Sequence, residues 1–292
     1  MVFCYNYMVW GDEYMIKLFA SDLDGTLLNE LHESDEVIFN SIQQVLNKNL
    51  YFTIATGRDL NGSLRNTGFE TLPIYKICMN GAFIAAPNKE ILYKKEIDKA
   101  FLKEILTQFP NIHFDCISID HTYVQGTKKE YIQHFYSSNI WKNLHFSKEI
   151  LEGFISSHKF ECSLEEILSK DILKLNCRVH DEETRIRLDN FLENHKDCVT
   201  NAPFEKGAYE ITDISVNKGN AVKTLADYLN INTKEVAVYG DGGNDLEMLQ
   251  MFEHSYATEN ACEEAKQYAK EIIGHCKDHA VPLHIIKTLS NC

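Results

Sequence analysis

Two carboxylates one residue apart, Asp22 and Asp24, end an apolar run in the segment Phe19-Ala20-Ser21-Asp22-Leu23-Asp24-Gly25-Thr26. Acids this close repel one another unless a cation sits between them or one keeps its proton, and either outcome serves catalysis. Two further acids, Asp241 and Asp245, stand in Gly240-Asp241-Gly242-Gly243-Asn244-Asp245. Lys218, in Asn217-Lys218-Gly219-Asn220, offers an ammonium, and Thr56, in Thr56-Gly57-Arg58, offers a hydroxyl. Acids and a lysine gathered at one place imply a bound divalent cation. Carboxylate oxygens with few dedicated ligands suit Mg²⁺, which keeps waters and shares its shell with substrate phosphate. A hydroxyl at a helix start and an ammonium then complete a phosphate cradle. The chemistry of such a set is phosphoryl transfer. Hydrolysis of a phosphate monoester needs on the order of 20 kcal/mol of barrier lowering, and a carboxylate nucleophile divides it into two easier transfers.

These residues act together only if the chain carries them to one edge. The apolar approach Ile16, Leu18, Phe19 and Ala20 reads as a buried strand with Gly25 in the turn that leaves it, so Asp22 and Asp24 stand at a strand's carboxyl end. In open α/β sheets that is the edge where ligands bind. Ser34 or Asp35 can cap a helix whose Val37, Ile38, Ile42, Val45 and Leu46 share one face. The strand Leu50 to Ala55 follows and runs into Thr56. The resulting βαβ unit has a parallel pair, which places Thr56 beside Asp22. Pro73 to Met79 reads as a third strand, closed by the turn dipeptide Asn80-Gly81.

Beyond Gly81 the pattern changes. Ala82 to Ala86 and Glu90 to Ile97 flank Pro87-Asn88-Lys89 as a hairpin. A helix over Asp98 to Phe109, the alternating stretch His113 to Ile119, strands at Thr122 to Gln125, Ile172 to Val179 and Cys198 to Asn201, and helices at Glu130 to Tyr136 and Glu182 to His195 make an α+β insert. We expect a second domain over 86–206, spliced into a core of 15–85 and 207–292. From Tyr209 the parallel pattern resumes: a helix directly after Lys218, the buried strand Glu235 to Tyr239 running into Gly240, a strand His254 to Ala257, a helix over about Asn260 to Ile273 and a terminal helix Val281 to Leu289. The expected class is α/β, a Rossmann-like parallel-sheet core with an inserted α+β cap. Met15 stands directly before the first strand, so residues 1–14 read as an N-terminal extension.

Composition sets the bounds. The 292 residues suffice for one large domain or two modest ones, and 44% hydrophobic with 25% charged residues describes an ordinary globular chain. No stretch approaches a membrane span, and the first residues carry Asp12 and Glu13 and lack a basic start. Nine cysteines, odd in number, scattered and without a Cys-x-x-Cys pair, read as reduced thiols, so a cytoplasmic location is expected. A net charge of -14 repels nucleic acid and anionic membranes. Neither is an expected partner. An anionic substrate must be captured by a local cation or base against that field.

Asp22-Leu23-Asp24-Gly25-Thr26, Ala55-Thr56-Gly57-Arg58, Lys218-Gly219 and Gly240-Asp241-Gly242-Gly243-Asn244-Asp245 resemble, in order, the four motifs of the haloacid dehalogenase (HAD) superfamily. Asn80-Gly81-Ala82 and the placement of the insert narrow the resemblance to its Cof-like phosphatases, which implies a cap of mixed α/β type inserted after the third strand. It also implies roles. Asp22 would be the nucleophile that becomes an aspartyl phosphate, and Asp24 the general acid and then base. Thr56, Gly57 and Lys218 would bind the phosphoryl group. Asp241 would ligate Mg²⁺ with Asp22 and the Asp24 carbonyl, while Asn244 and Asp245 would support phosphate and metal. The expected activity is Mg²⁺-dependent hydrolysis of a small phosphorylated metabolite, foremost a sugar phosphate. A phosphomutase that returns the phosphoryl group to sugar, and a non-catalytic phospho-aspartate or metal-binding module, are the alternatives. A receiver-type module needs no insert of this length.

Each residue also has a plainer reading. Thr56 can be a helix cap, and Lys218 a solvated surface lysine. Gly240 to Gly243 lacks the third glycine of a dinucleotide loop. His275, Cys276, His279 and His284 have a spacing that could clamp a metal, though surface histidines are far commoner. His113, His134, His158 and His180 show no ligand spacing. Phe114, Tyr123, Tyr131 and Trp141 read as core of the insert, from which one could line a substrate pocket.

Overall fold

In the computed structural model, which describes residues 15–60, 63–64, 67–137, 152–202 and 207–290, the first βαβ unit is β1 (Leu18–Ser21), α1 (Glu36–Asn47) and β2 (Tyr51–Ala55). Asp35 starts α1 by accepting from the N–H groups of Val37 and Ile38 at 3.0 and 3.2 Å, two donors the helix itself cannot satisfy. β3 (Tyr75–Cys78) extends the parallel set, and the hairpin β4 (Phe83–Ala85) and β5 (Ile91–Lys94) closes that side antiparallel.

The chain then builds a second layer from α2 (Lys99–Gln108), β6 (Asp115–Ile117), β7 (Thr122–Tyr123), α3 (Lys128–Ser137), β8 (His158–Lys159), α4 (Leu164–Leu168), β9 (Lys174–Arg178), α5 (Glu182–Glu193), β10 (Val199–Asn201) and β11 (Ala208–Asp213). Its six-stranded sheet has the order β10-β11-β9-β6-β7-β8, antiparallel except where β7 meets β8. Phe101, Ile105 and Leu188 pack on one face of that sheet against Cys116, Tyr123, Leu175 and Ile211. Phe114, Tyr123 and Tyr131 are buried, as expected of core; Trp141 lies outside the described residues, as do residues 1–14.

The return to the first layer runs through α6 (Lys218–Tyr228), β12 (Val236–Gly240), α7 (Leu246–Met251), β13 (His254–Ala257), α8 (Glu263–Tyr268), β14 (Glu271–Ile272) and α9 (Ala280–Ser290). The eight-stranded sheet reads β14-β13-β12-β1-β2-β3-β4-β5. Leu18 and Ala20 face the helices α6 and α7 through Val222, Leu225 and Met248, while Phe19 faces α1 and α9 through Ile42 and Ile285. Helices on both faces explain why β1 and β12 are buried throughout.

Three placements differ from expectation. β5 belongs to the first sheet and β11 to the second, so the sheets part after Lys94 and rejoin after Asp213 rather than at 86 and 206. Alternating polarity marks a strand without naming its partner. The helix expected to reach Ile273 ends at Tyr268: Ala269 turns extended, and Glu271–Ile272 pairs with β13 at the sheet edge. The two crossings between layers lie side by side, with Lys95 Nζ 3.4 Å from Asp213 Oδ2. Alongside this neck Ile117 and Leu173 of the second layer join the hydrophobic cluster of the first. Among the described residues the seven cysteines are free thiols, and no helix is long and apolar enough to cross a membrane.

Candidate active site

Strand register sets the depth of each side chain. Ser21 pairs with Tyr239 on one side and Ile54 on the other, so Asp22 leaves β1 level with Gly240 and Ala55, and Asp241 and Thr56 come next on the flanking strands. After Asp22 the chain makes one wide turn over Leu23–Leu27, closed by the Leu28 N–H on the Leu23 carbonyl at 2.9 Å. Gly25 has φ +79° in that turn, and a Cβ there would stand 2.4 Å from Asp241 Oδ2. Only glycine lets the two strand ends approach this closely.

On the other side of β2, Met79, Asn80 and Gly81 have φ of 53°, 57° and 107°, three left-handed residues in succession. A Cβ on Gly81 would meet the Asn217 carbonyl at 2.5 Å, so this loop abuts the start of α6. Asn217 caps α6 by accepting from the Asn220 N–H at 2.7 Å, and Lys218 opens it. Local strain of this kind persists where the surroundings over-determine it, and it clusters at functional sites.

Lys218 is wholly buried, and its Nζ donates to Asp22 Oδ1 at 2.6 Å and Asp245 Oδ1 at 2.7 Å. Burial opposes its charge, but the two carboxylates outweigh burial and raise the ammonium's pKa. Asp245 Oδ2 accepts from the N–H groups of Asp241 and Gly242 at 3.0 and 2.9 Å, so this buried acid holds both the lysine and the loop. Thr26 Oγ1 donates to Asp241 Oδ1 at 2.6 Å.

Asp22, Asp241 and Asp245 each bring one oxygen within 4.8 Å of the others. Burial lifts the Asp22 carboxyl well above its ordinary value; Lys218 opposes this, and the Asp245, Asp241 and Asp24 carboxylates add to it. Burial and Asp245 push Asp241 up to about 6, against Thr26 and Lys218. One ammonium does not neutralise three clustered acids. An all-oxygen donor set with surplus negative charge fits a divalent cation such as Mg²⁺.

The Asp24 carboxylate stands apart from this group. Arg58 grips it with two bonds, Nη2 to Oδ1 at 2.6 Å and Nε to Oδ2 at 2.8 Å, and His32 Nδ1 lies 3.1 Å from Oδ1. Burial alone would raise Asp24, yet these bonds outweigh it and hold the carboxyl well below the usual range. Thr56 is buried, and its Oγ1 accepts from the Arg58 N–H at 3.1 Å. Asn244 Nδ2 donates to Asn80 Oδ1 at 3.1 Å, and a Cβ on Gly57 would lie 2.9 Å from that same oxygen.

The structure therefore gathers Asp22, Lys218, Asp241 and Asp245 into one contact group and places Thr56, Gly57 and Asn244 around it, with Asp24 turned to Arg58. Arg58 and Thr26 stood inside the quoted motifs without a role; Thr26 lies two residues from Asp24, while Arg58 reaches that acid from 34 positions along the chain. His32 stood in no motif. The C-terminal histidines part company: His275 accepts from the Lys277 N–H, His279 Nε2 lies 2.7 Å from Asp35 Oδ2, and His284 Nδ1 meets the Tyr239 hydroxyl at 3.0 Å. They form no metal cluster among the described residues.

An α/β enzyme with a second, mixed sheet inserted beside the core, and with acids and a threonine at the strand ends facing a lysine at a helix start, is the class that fold and site define together. The chain belongs to the haloacid dehalogenase-like hydrolases, whose family pattern matches residues 19–285. Within that family it is a Cof-like phosphatase with a mixed-sheet cap. It is 29% identical over 279 residues to a putative phosphatase of Buchnera aphidicola subsp. Baizongia pistaciae, covering 94% of this chain and 98% of the relative. An HMP-PP phosphatase of Citrobacter koseri is 23% identical, covering 95% and 97%. A solved haloacid dehalogenase-like hydrolase from B. subtilis superposes with a TM-score of 0.78 at 25% identity, covering 93% of this chain and 99% of that one.

Proposed function

We propose that this phosphatase hydrolyses a small phosphorylated metabolite through an aspartyl phosphate on Asp22. The observation that carries the reading is the bridging of Asp22 and Asp245 by buried Lys218 at the strand edge, beside Asp241. An Asp22 carboxylate oxygen attacks phosphorus, and the bond from phosphorus to the leaving oxygen breaks. The proton that oxygen needs comes from Asp24. Water then attacks the same phosphorus, gives its proton to Asp24, and releases phosphate and the regenerated Asp22 carboxylate. Lys218 balances charge on the transferring group, and the Thr56 hydroxyl and Asn244 amide orient it.

Asp22, Asp241, Asp245 and the Asp24 carbonyl are the groups that would hold Mg²⁺. A bound Mg²⁺ supplies compensation for the clustered acids and the phosphoryl oxygens. Gripped by Arg58 and His32, Asp24 is an anion, the form that accepts a proton from water. To serve the first transfer it must leave Arg58 and carry a proton.

The second sheet turns polar side chains toward this edge: Lys174, on β9, reaches the Gly57 carbonyl at 2.9 Å, and Asn176 and Arg178 follow on the same face. A polar leaving group such as a sugar suits that face. The HMP-PP phosphatase among the relatives makes HMP-PP a comparison substrate. Phosphate release from an aryl phosphate and from a panel of phosphorylated metabolites, with Mg²⁺ and with chelator, tests the reading. Asp22→Asn should abolish release while leaving the fold intact, and turnover retained in that variant would overturn the mechanism.

A further inference from the structure

A chain of five polar groups crosses from the cap into the phosphate edge. Lys174 Nζ, on a side chain 1% exposed, donates to Glu210 Oε2 at 2.8 Å and to the Gly57 carbonyl at 2.9 Å. Asn80 Nδ2 donates to the same Glu210 oxygen at 2.8 Å, and Asn80 Oδ1 accepts from Asn244 Nδ2 at 3.1 Å. A Cβ on Gly57 would lie 3.2 Å from Glu210 Oε2, so the carboxylate rests against the phosphate loop itself. Lys174 and Glu210 belong to β9 and β11 of the cap, whereas Gly57, Asn80 and Asn244 belong to three separate loops of the core.

The chemistry of these groups fixes a direction. A carboxylate paired with an ammonium only accepts, so the amide that meets it must present its NH₂. Asn80 therefore turns its carbonyl the other way, and that carbonyl can be met only by a donor, the NH₂ of Asn244. One acceptor-only group thereby sets the orientation of two amides in succession. A buried ion pair contributes little to stability against an apolar replacement, and its best-attested use is to fix one arrangement.

We propose that Glu210 is a positioning residue for phosphate binding: from the cap, through Asn80, it fixes which face of the Asn244 amide meets the phosphoryl group. The inference rests on the phosphatase reading above. Neither Glu210 nor Lys174 touches the reacting atoms in this scheme, and both stand in the cap, so the phosphate edge takes its final geometry only with the cap docked.

Kinetics of aryl phosphate hydrolysis at saturating Mg²⁺, with inorganic phosphate as competing inhibitor, test this. Glu210→Ala should raise both KM and the phosphate inhibition constant about tenfold, the loss of one orienting hydrogen bond, with kcat changed less than threefold. Glu210→Gln, which still presents an acceptor to Asn80, should recover most of the loss. Asn80→Gly keeps the left-handed backbone and removes the relay, so Asn80→Gly and the Glu210→Ala/Asn80→Gly double variant should match Glu210→Ala. An inhibition constant within twofold of wild type in Glu210→Ala, or losses that add in the double variant, would overturn the proposal. Should Glu210→Ala fail to fold, Asn80→Gly decides alone, by a raised or an unchanged inhibition constant. Absence of phosphate release by the wild-type enzyme would instead count against the phosphatase mechanism, leaving the two failures distinct.

Discussion

Lys218 Nζ lies 2.6 Å from Asp22 Oδ1 and 2.7 Å from Asp245 Oδ1, so one ammonium ties the tip of β1 to the start of α7. Lys218→Met leaves two buried carboxylates without their counter-charge. Removal of one partner from a buried pair costs about 3–5 kcal/mol, and loss of a charge-stabilising donor costs about 10²–10³ in kcat. Urea unfolding and phosphate release should show both losses. Adding Asp245→Asn to Lys218→Met should recover stability and leave activity lost; a Lys218→Met protein as stable as wild type would contradict the buried bridge.

Cation binding should register without turnover. Mg²⁺ that binds the folded chain alone stabilises it by about 2.7 kcal/mol at a concentration one hundred times its Kd. Thermal melting of wild type should therefore rise with added Mg²⁺ and fall back with chelator. Asp241→Asn should remove that response, and a full shift in this variant would show that the ion binds elsewhere.

Gly25 offers a steric test. With φ +79° and Asp241 Oδ2 2.4 Å from its absent Cβ, Gly25→Ala strains the backbone and displaces the acid. The backbone cost is about 1–3 kcal/mol. Mg²⁺ affinity, read by the melting shift, should fall at least tenfold, whereas unchanged affinity would mean that the turn relaxes freely.

The Arg58 grip on Asp24 gives a pH dependence with a definite sign. Asp24 is held below its ordinary pKa, so its pairing stabilises the fold above the unfolded value near 4 and loses that effect as pH falls through the folded value. Because the Asp24 side chain is 41% exposed, solvent screening limits the pair to about 1 kcal/mol or less. Denaturant midpoints for Arg58→Ala should lie below wild type at pH 7 and begin to converge with it only as the pH falls below about 4. A gap that widens in acid would refute the assignment.

The meeting of Asp22, Thr56 and Asp241 at one sheet edge was legible because each follows directly on an apolar strand, and that of Lys218 because it opens the helix behind them. What the sequence concealed depends on partners far along the chain. Lys174-Leu175-Asn176-Cys177-Arg178 alternates as any half-buried strand does, and nothing local tells that its polar face meets another domain. The same ambiguity misplaced β5 and β11 between the sheets. His32 reaches Asp24 from a left-handed turn at φ 58°, a conformation no pattern of neighbours announces. The two-residue β14 owes its existence to the edge of β13, which overrode a helical composition.

The neck clasped by Lys95 and Asp213 gives the cap a fulcrum at one end. Any swing of the second sheet about that point carries its far edge, β8, through the longest arc, and moves β11, which leads directly into the neck, the least. The strands that face the phosphate edge are thus the ones held nearest the tether, and the rim strand β8 is the one farthest from it.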